Sequence, residues 1–200
     1  MAEVLIVLFA FIFTLMNKKD LPLPITAVQI LWLNLVTDGF LDVGLSMEPK
    51  EKGLLKRFWL HKKERLIDIT LFLKMFYMAL PMAIGSFCVF LSYYQYDLIH
   101  ARTMTLLTMA MFQWFNAWNC RSSTQSIFTS SFFANKWLII ATIFVLFLQC
   151  CLVYIPVMNY VFKTVPLSED DWIVVVSISS IIIIIEEIRK FLMRRLSELD

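Results

Sequence analysis

The sequence predicts an all-α fold: a polytopic membrane helix bundle of six transmembrane helices, the first of them truncated. Three observations predict it. Hydrophobic residues make up 60% of the 200 residues and charged residues only 17%, against about 45–50% and about 25% in soluble domains. Mean hydropathy is +0.72, and a soluble core at this length is too small to hide so much apolar side chain. The apolar residues are gathered into long runs separated by short polar connections. This composition excludes an ordinary soluble enzyme, a disordered tail and a nucleic-acid arm. The expected partner is the lipid bilayer, with no nucleic acid.

The runs fall at about residues 2–16, 25–47, 67–94, 103–119, 137–158 and 172–191. A spanning helix needs roughly 20 apolar residues. The last five runs reach or approach that length. The first, at about 15 residues and 1.5 Å per residue, covers only about 22 Å of a hydrocarbon core near 30 Å. It is read as a helix whose first half is missing. It is not a signal peptide, because its lysines, Lys18 and Lys19, follow the apolar run and no basic segment precedes it.

Each connection has its own punctuation. Pro22 and Pro24 break the first hairpin, and Pro49 with Gly53 closes the second run and opens a basic loop. Pro81 and Gly85 predict a kink or a close helix contact in the third run. Ser168 with Asp171 is a capping-box pattern that opens the last helix. Glu186 and Glu187, followed by basic residues, read as an interfacial ion cluster.

Lysine and arginine set the orientation. With the N-terminus inside, thirteen of them, from Lys50 to Arg195, fall in cytosolic segments, and four, Lys18, Lys19, Arg102 and Lys163, fall outside. Lys74 lies in the inner part of the third run and is expected to snorkel inward. Both termini are therefore expected in the cytosol of an integral, multi-pass membrane protein, in the plasma membrane if the source is bacterial. Lys18 and Lys19 oppose the first run locally, which a lost upstream helix would explain.

Several residues read as packing or solvated positions. Cys88, Cys120, Cys150 and Cys151 lack a CxxC spacing and read as membrane-packing residues. His61 and His100 are isolated and read as solvated loop histidines. Met75, Met78 and Met82 share a helical face and read as packing.

The informative residues are polar groups at membrane depth, because an intramembrane carboxylate is costly unless it meets a partner, an ion or water. In the second run Asn34, Thr37 and Asp38 stand at i, i+3 and i+4, the spacing of one α-helical face. Their amide, hydroxyl and carboxylate oxygens are hard ligands suited to calcium or magnesium rather than zinc or copper. Asn and Thr alone also glue helices together; the carboxylate among them points to an ion. Gly39 would let the helix unwind there, and Asp42 extends the acidic face by a turn. Glu3 is a second carboxylate, either at depth or at the interface. Gln113 and Asn116 add amides at i and i+3 in the fourth run, as ligands or as helix glue.

The stretch Pro24-Ile25-Thr26-Ala27-Val28-Gln29-Ile30-Leu31-Trp32-Leu33-Asn34-Leu35-Val36-Thr37-Asp38-Gly39, with Glu48-Pro49 after it, closely resembles the sixth transmembrane helix of P-type cation-transporting ATPases of the calcium-pump type. Ala2-Glu3-Val4-Leu5 resembles the middle of the fifth helix, and Phe112-Gln113-Trp114-Phe115-Asn116-Ala117-Trp118-Asn119 the eighth. The resemblance covers the chain as helices five to ten, the C-terminal transmembrane domain of such a pump.

The resemblance implies a site. Glu3 matches the fifth-helix carboxylate ligand, and Asn34, Thr37 and Asp38 the sixth-helix ligands. Gln113 stands where two-calcium pumps carry an eighth-helix glutamate, which implies one ion per cycle rather than two. Leu41 and Asp42 replace the proline and small residues usual after Asp-Gly-Phe. The implied transported ion is Ca2+, with Mn2+ possible on the same oxygen chemistry. ATP and Mg2+ belong only to the complete pump, because this chain holds no Asp-Lys-Thr-Gly-Thr phosphorylation motif and no Thr-Gly-Glu actuator motif. The implied partner is the N-terminal part of the pump, or a separate catalytic chain. The alternative is a stand-alone, non-catalytic membrane protein that partners or regulates a separate pump. A small secondary carrier is disfavoured by the lack of an inverted repeat.

Overall fold

The computed structural model describes residues 1–17, 20–49, 69–122, 126–127 and 132–197, and among them all regular structure is helical. The basic loop after Pro49, including Lys50, Gly53 and His61, lies outside the described residues, as do Lys18 and Lys19.

Helix α1 is Ala2–Asn17. Helix α2, Ala27–Ser46, begins at a capping box: the Thr26 amide donates to Gln29 Oε1 at 3.0 Å, and the Gln29 amide donates to Thr26 Oγ1 at 3.4 Å. Its middle, Leu33–Asp38, winds as a π-helix before the α-helix resumes over Gly39–Ser46. Helix α3, Ile69–Tyr93, runs through Pro81. At Gly85 a Cβ would lie 2.8 Å from Phe112 Cζ, so the missing side chain is what seats α3 against the Phe112 ring. Helix α4, Leu98–Asn119, is capped by Asp97, whose carboxylate accepts from the amides of Ile99 and His100.

Helix α5, Lys136–Tyr154, is capped by Asn135. The fifth apolar run is broken rather than continuous. Pro156 has no amide hydrogen and forces the residue before it out of the helix, so Ile155 is extended and a short α6, Pro156–Phe162, follows. Lys163 ends α6 in the left-handed conformation at φ 51°. Helix α7, Glu169–Ser197, forms the capping box its sequence predicts, with Asp171 accepting from the Ser168 amide and hydroxyl and donating its own amide to Ser168 Oγ.

Helix α4 is the centre of the bundle. It is buried continuously from Thr103 to Phe112 and packs on α3 and α7. A helix surrounded by protein can carry hydroxyls, and Thr103, Thr105 and Thr108 each donate back to a carbonyl one turn earlier. Helix α1 packs on α3, and α2 packs on α5. The α2–α5 contact is close at Gly44, where a Cβ would meet Leu138 Cα and Ala141 Cβ at 3.0 Å.

Among the described residues three helices are long and apolar enough to cross a bilayer: Ala27–Ser46, Leu71–Tyr93 and Lys136–Tyr154. Helix α1 is apolar and shorter. The outward faces carry exposed leucine, isoleucine, valine and phenylalanine, such as Leu35, Leu73, Phe147 and Ile184. Without lipid, such faces would be exposed to water; with lipid, packing and hydrogen bonds between helices hold the bundle. This is an integral membrane helix bundle.

Candidate functional site

The site is built where α1, the π segment of α2, and α4 meet. Glu3 is buried in the first turn of α1. Its Oε2 accepts from Asn34 Nδ2 at 3.0 Å, and its Oε1 accepts from Gln113 Nε2 at 3.3 Å. One carboxylate therefore joins three helices. Asn34 spends its second donor contact on the Ile30 carbonyl at 3.0 Å. Gln113 Oε1 is buried and meets no donor among the described residues. That amide oxygen is a hard acceptor held in place with nothing to accept from, and a cation would satisfy it.

A cleft of about 290 Å³ opens beside Glu3. Asp38, half-buried, faces it from α2, and Gln113 and Asn116 face it from α4. Lys74 lines it from α3. So do Met75, Met78 and Met82, which give it an apolar wall.

Two predicted positions lie elsewhere. Thr37 is fully buried against α5, where its hydroxyl accepts from Gln149 Nε2 at 3.0 Å. Gln149 Oε1 in turn accepts from Trp32 Nε1 at 3.4 Å. The single α-helical face expected for Asn34, Thr37 and Asp38 is not what forms. A π turn takes more residues than an α turn, so the i, i+3 relation no longer stacks, and Thr37 points away from the cleft. Asp42 is exposed one turn beyond Asp38 and does not line the cleft.

Two site-side residues escaped the sequence reading. Gln149 was a lone amide in an apolar run, and that isolation was the available signal. Lys74, expected to snorkel inward, also lines the cleft from α3.

Other polar residues also find partners. His100 is not simply solvated: its Nε2 lies 3.1 Å from Asp171 Oδ2. Glu186 holds Arg189 at 2.6 Å, as an ion cluster predicts, whereas Glu187 accepts from the Ile127 backbone amide. Lys190 is buried and donates to the Asn119 carbonyl at 2.9 Å. The four cysteines are free thiols.

Residues 22–192 match the family described as cation transporting ATPase, C-terminus. The chain belongs to this family.

The cation-transporting ATPase match begins after Glu3 and takes in Asn34, Asp38, Gln113 and Lys74. The chain is 32% identical to a calcium-transporting ATPase of Bacillus subtilis over 182 residues, 90% of this chain and 20% of the relative. It is 33% identical to calcium-transporting ATPase 1 of Saccharomyces cerevisiae over 183 residues, 90% of this chain and 19% of the relative. It is 31% identical to calcium-transporting ATPase type 2C member 2 of Rattus norvegicus over 180 residues, 88% of this chain and 19% of the relative. The chain thus spans about a fifth of the length of the curated relatives it matches. It corresponds to the C-terminal membrane domain of these cation-transporting ATPases.

Proposed function

We propose that this chain is the ion-binding membrane part of an ATP-driven calcium pump. Glu3, Asn34, Asp38 and Gln113 would meet the ion, with Asn116 beside them and Thr37 and Asp42 supporting from the flanks. One observation carries this reading: the Glu3 carboxylate gathers α1, α2 and α4 at a cleft that Asp38 also faces. Carboxylate and amide oxygens are the donors that calcium takes, and manganese accepts the same set. A glutamine, Gln113, where a third carboxylate would join Glu3 and Asp38 favours one ion per cycle. In the bilayer the ion would replace the amide donors on Glu3, and the carboxylates would exchange it for protons when the helices rearrange.

Phosphorylation from ATP with Mg2+ would come from the rest of a pump, on the same chain or a separate one. The lysine and arginine distribution supports a cytosolic placement of both termini. In a bacterium that membrane would be the plasma membrane.

The test is equilibrium binding of radioactive calcium to the chain in lipid nanodiscs, repeated with manganese. Asp38→Asn and Glu3→Gln are each expected to abolish binding. Unchanged affinity in Asp38→Asn would remove Asp38 from the ligand set.

A further inference from the structure

Helix α6 has two unlike sides. On one, the Phe162 ring packs edge-on against the Trp32 ring of α2, with centroids 4.8 Å apart. The Phe162 carbonyl, left without an intrahelical donor at the end of α6, accepts from Gln29 Nε2 at 3.0 Å. The other side carries Val157, Tyr160 and Val161, at i, i+3 and i+4, and they are 71%, 87% and 51% exposed. No residue of α6 is charged.

That exposed side prolongs the lipid-facing stripe of α5. Ile140, Phe147 and Tyr154 recur every seven residues along α5, all exposed, and Val157 follows across the Pro156 break. The excursion is closed at its base, where Thr164 Oγ1 donates to the Leu152 carbonyl at 2.8 Å. Helix α6 therefore stays at the end of α5 instead of lengthening the span. Two aromatic residues with satisfied polar tips mark the level. Trp172 Nε1 donates to Tyr154 Oη at 2.9 Å, and Tyr154 Oη donates to the Leu167 carbonyl at 3.0 Å. Such rings collect where hydrocarbon gives way to headgroups.

We infer that α6 is an interfacial anchor. Its Val157, Tyr160 and Val161 side seats in the phospholipid leaflet at the headgroup boundary, and through Phe162 it fixes the start of α2 at that level. The occupant is phospholipid of any headgroup charge, because an uncharged face is held by apolar burial and not by countercharge. Tyrosine suits the place, with its ring in the apolar layer and its hydroxyl at the wet edge. The link to α2 is one buried amide: Gln29 gives Oε1 to the Thr26 amide in the capping box and Nε2 to Phe162. The helix so held is the one that carries the π segment.

The experiment places p-benzoylphenylalanine at position 160, in place of tyrosine, in the 200-residue chain in phosphatidylcholine nanodiscs. On irradiation the ketone abstracts hydrogen from a neighbouring C–H and the two carbon radicals join, so the protein gains the mass of one whole lipid. The same residue at position 147 serves for comparison, seven residues or about 10 Å before Tyr154 along α5. Position 160 is expected to give a lipid adduct, with the graft on the headgroup, glycerol or first acyl carbons, and position 147 a graft farther down the chain. No lipid adduct at position 160 overturns the anchor, whether that face lies in water or awaits a protein. A graft at 160 near the acyl ends overturns the boundary placement.

A second measurement reads the hold on α2. Tyr160→Asp sets a carboxylate on the seated face and is expected to speed amide exchange over residues 27–32 about tenfold, while residues 175–190 of α7 exchange as in the parent chain. Tyr160→Trp is expected to match the parent. Val161→Ser, a milder polar change on the same face, is read in the same way if the carboxylate also loosens α7. Unchanged exchange over residues 27–32 in the folded variant overturns the hold on α2. Neither readout requires an ion to be bound, so failure here is separate from failure of the calcium site.

Discussion

Thr37 and Gln149, 112 residues apart, share a buried hydrogen bond of 3.0 Å between α2 and α5. Gln149 is itself held by Trp32, so the two faces of the π turn do different work. One face fastens α2 to α5. The other brings Asn34 to Glu3 and Asp38 to the cleft.

The first prediction follows from that division. Thr37→Val removes the acceptor and leaves the Gln149 amide without it, while Thr37→Ser keeps the hydroxyl. Hydrogen bonds between membrane helices are modest, so the expected loss is about 1 kcal/mol of stability. Reversible unfolding in mixed detergent checks it. A valine variant as stable as the parent and the serine variant would show that the bond carries nothing.

A second prediction concerns the end of α2. Arg121 forms a two-pronged pair with Glu48 at 2.8 to 3.1 Å, and Asn135 Nδ2 donates to both the Gly44 carbonyl and Glu48. The Arg121 side chain is 3% exposed and that of Glu48 24% exposed, so the pair is shielded on one side only. Breaking a fully buried pair costs about 3–5 kcal/mol; this one is expected to cost about 2–3 kcal/mol in Arg121→Ala. A double-mutant cycle with Glu48→Ala reads the coupling directly. A coupling near zero would mean that each residue acts alone.

Two glycines in α2 are predicted to differ. Gly44→Ala places a methyl group 3.0 Å from Leu138 Cα, which belongs to a backbone that cannot turn aside. It is expected to cost about 1–3 kcal/mol by pushing α2 off α5. Gly39→Ala meets only the Asn34 carbonyl at 3.7 Å, an ordinary contact. That variant is expected to be neutral, or more stable by up to about 1 kcal/mol through helix propensity. Paired melting curves decide the matter, and equal shifts would contradict the close contact at Gly44.

The fourth prediction is a pH dependence at the start of α7, ahead of its apolar stretch. Burial raises the pKa of Asp171, but the Ser168 amide, the Ser168 hydroxyl and His100 together hold it below its usual 3.8. A carboxylate with a lowered folded pKa contributes stability above its unfolded value and loses it as pH falls through the folded value. The cap is therefore expected to hold at pH 5 and above and to loosen below about pH 4. Amide exchange near residues 168–172 should accelerate over that range, and Asp171→Asn should flatten the dependence. A parent chain whose exchange follows only intrinsic chemistry across that range would refute it.

Much of the fold could be read from the sequence because apolar runs and caps are local. The Ser168–Asp171 box and the proline breaks around α2 depend on residues a few positions apart. The Ile155–Pro156 break was equally local, yet the run of apolar residues on both sides masked it. The π segment was not readable, because α spacing is the default for any apolar helix and nothing in Leu33–Asp38 marks the wider turn. The long-range pairs were hidden for another reason. Gln149 with Thr37, Asn135 with Glu48, and His100 with Asp171 join residues 71 to 112 positions apart, and only packing decides who meets whom.

The seam between α4 and α7 has a lopsided genetics. Ser179 donates to the Thr108 carbonyl, Asn119 to the Ile182 carbonyl, and Lys190 to the Asn119 carbonyl. Every acceptor is main chain, which any residue supplies. Thr108 and Ile182 are thus free to drift, as far as these bonds go, within the limits of size. Ser179, Asn119 and Lys190 are not, because each is, among the described residues, the sole side-chain donor to its carbonyl in this seam. A saturation library across the two helices should show tolerance in the acceptors' rows and intolerance in the donors'.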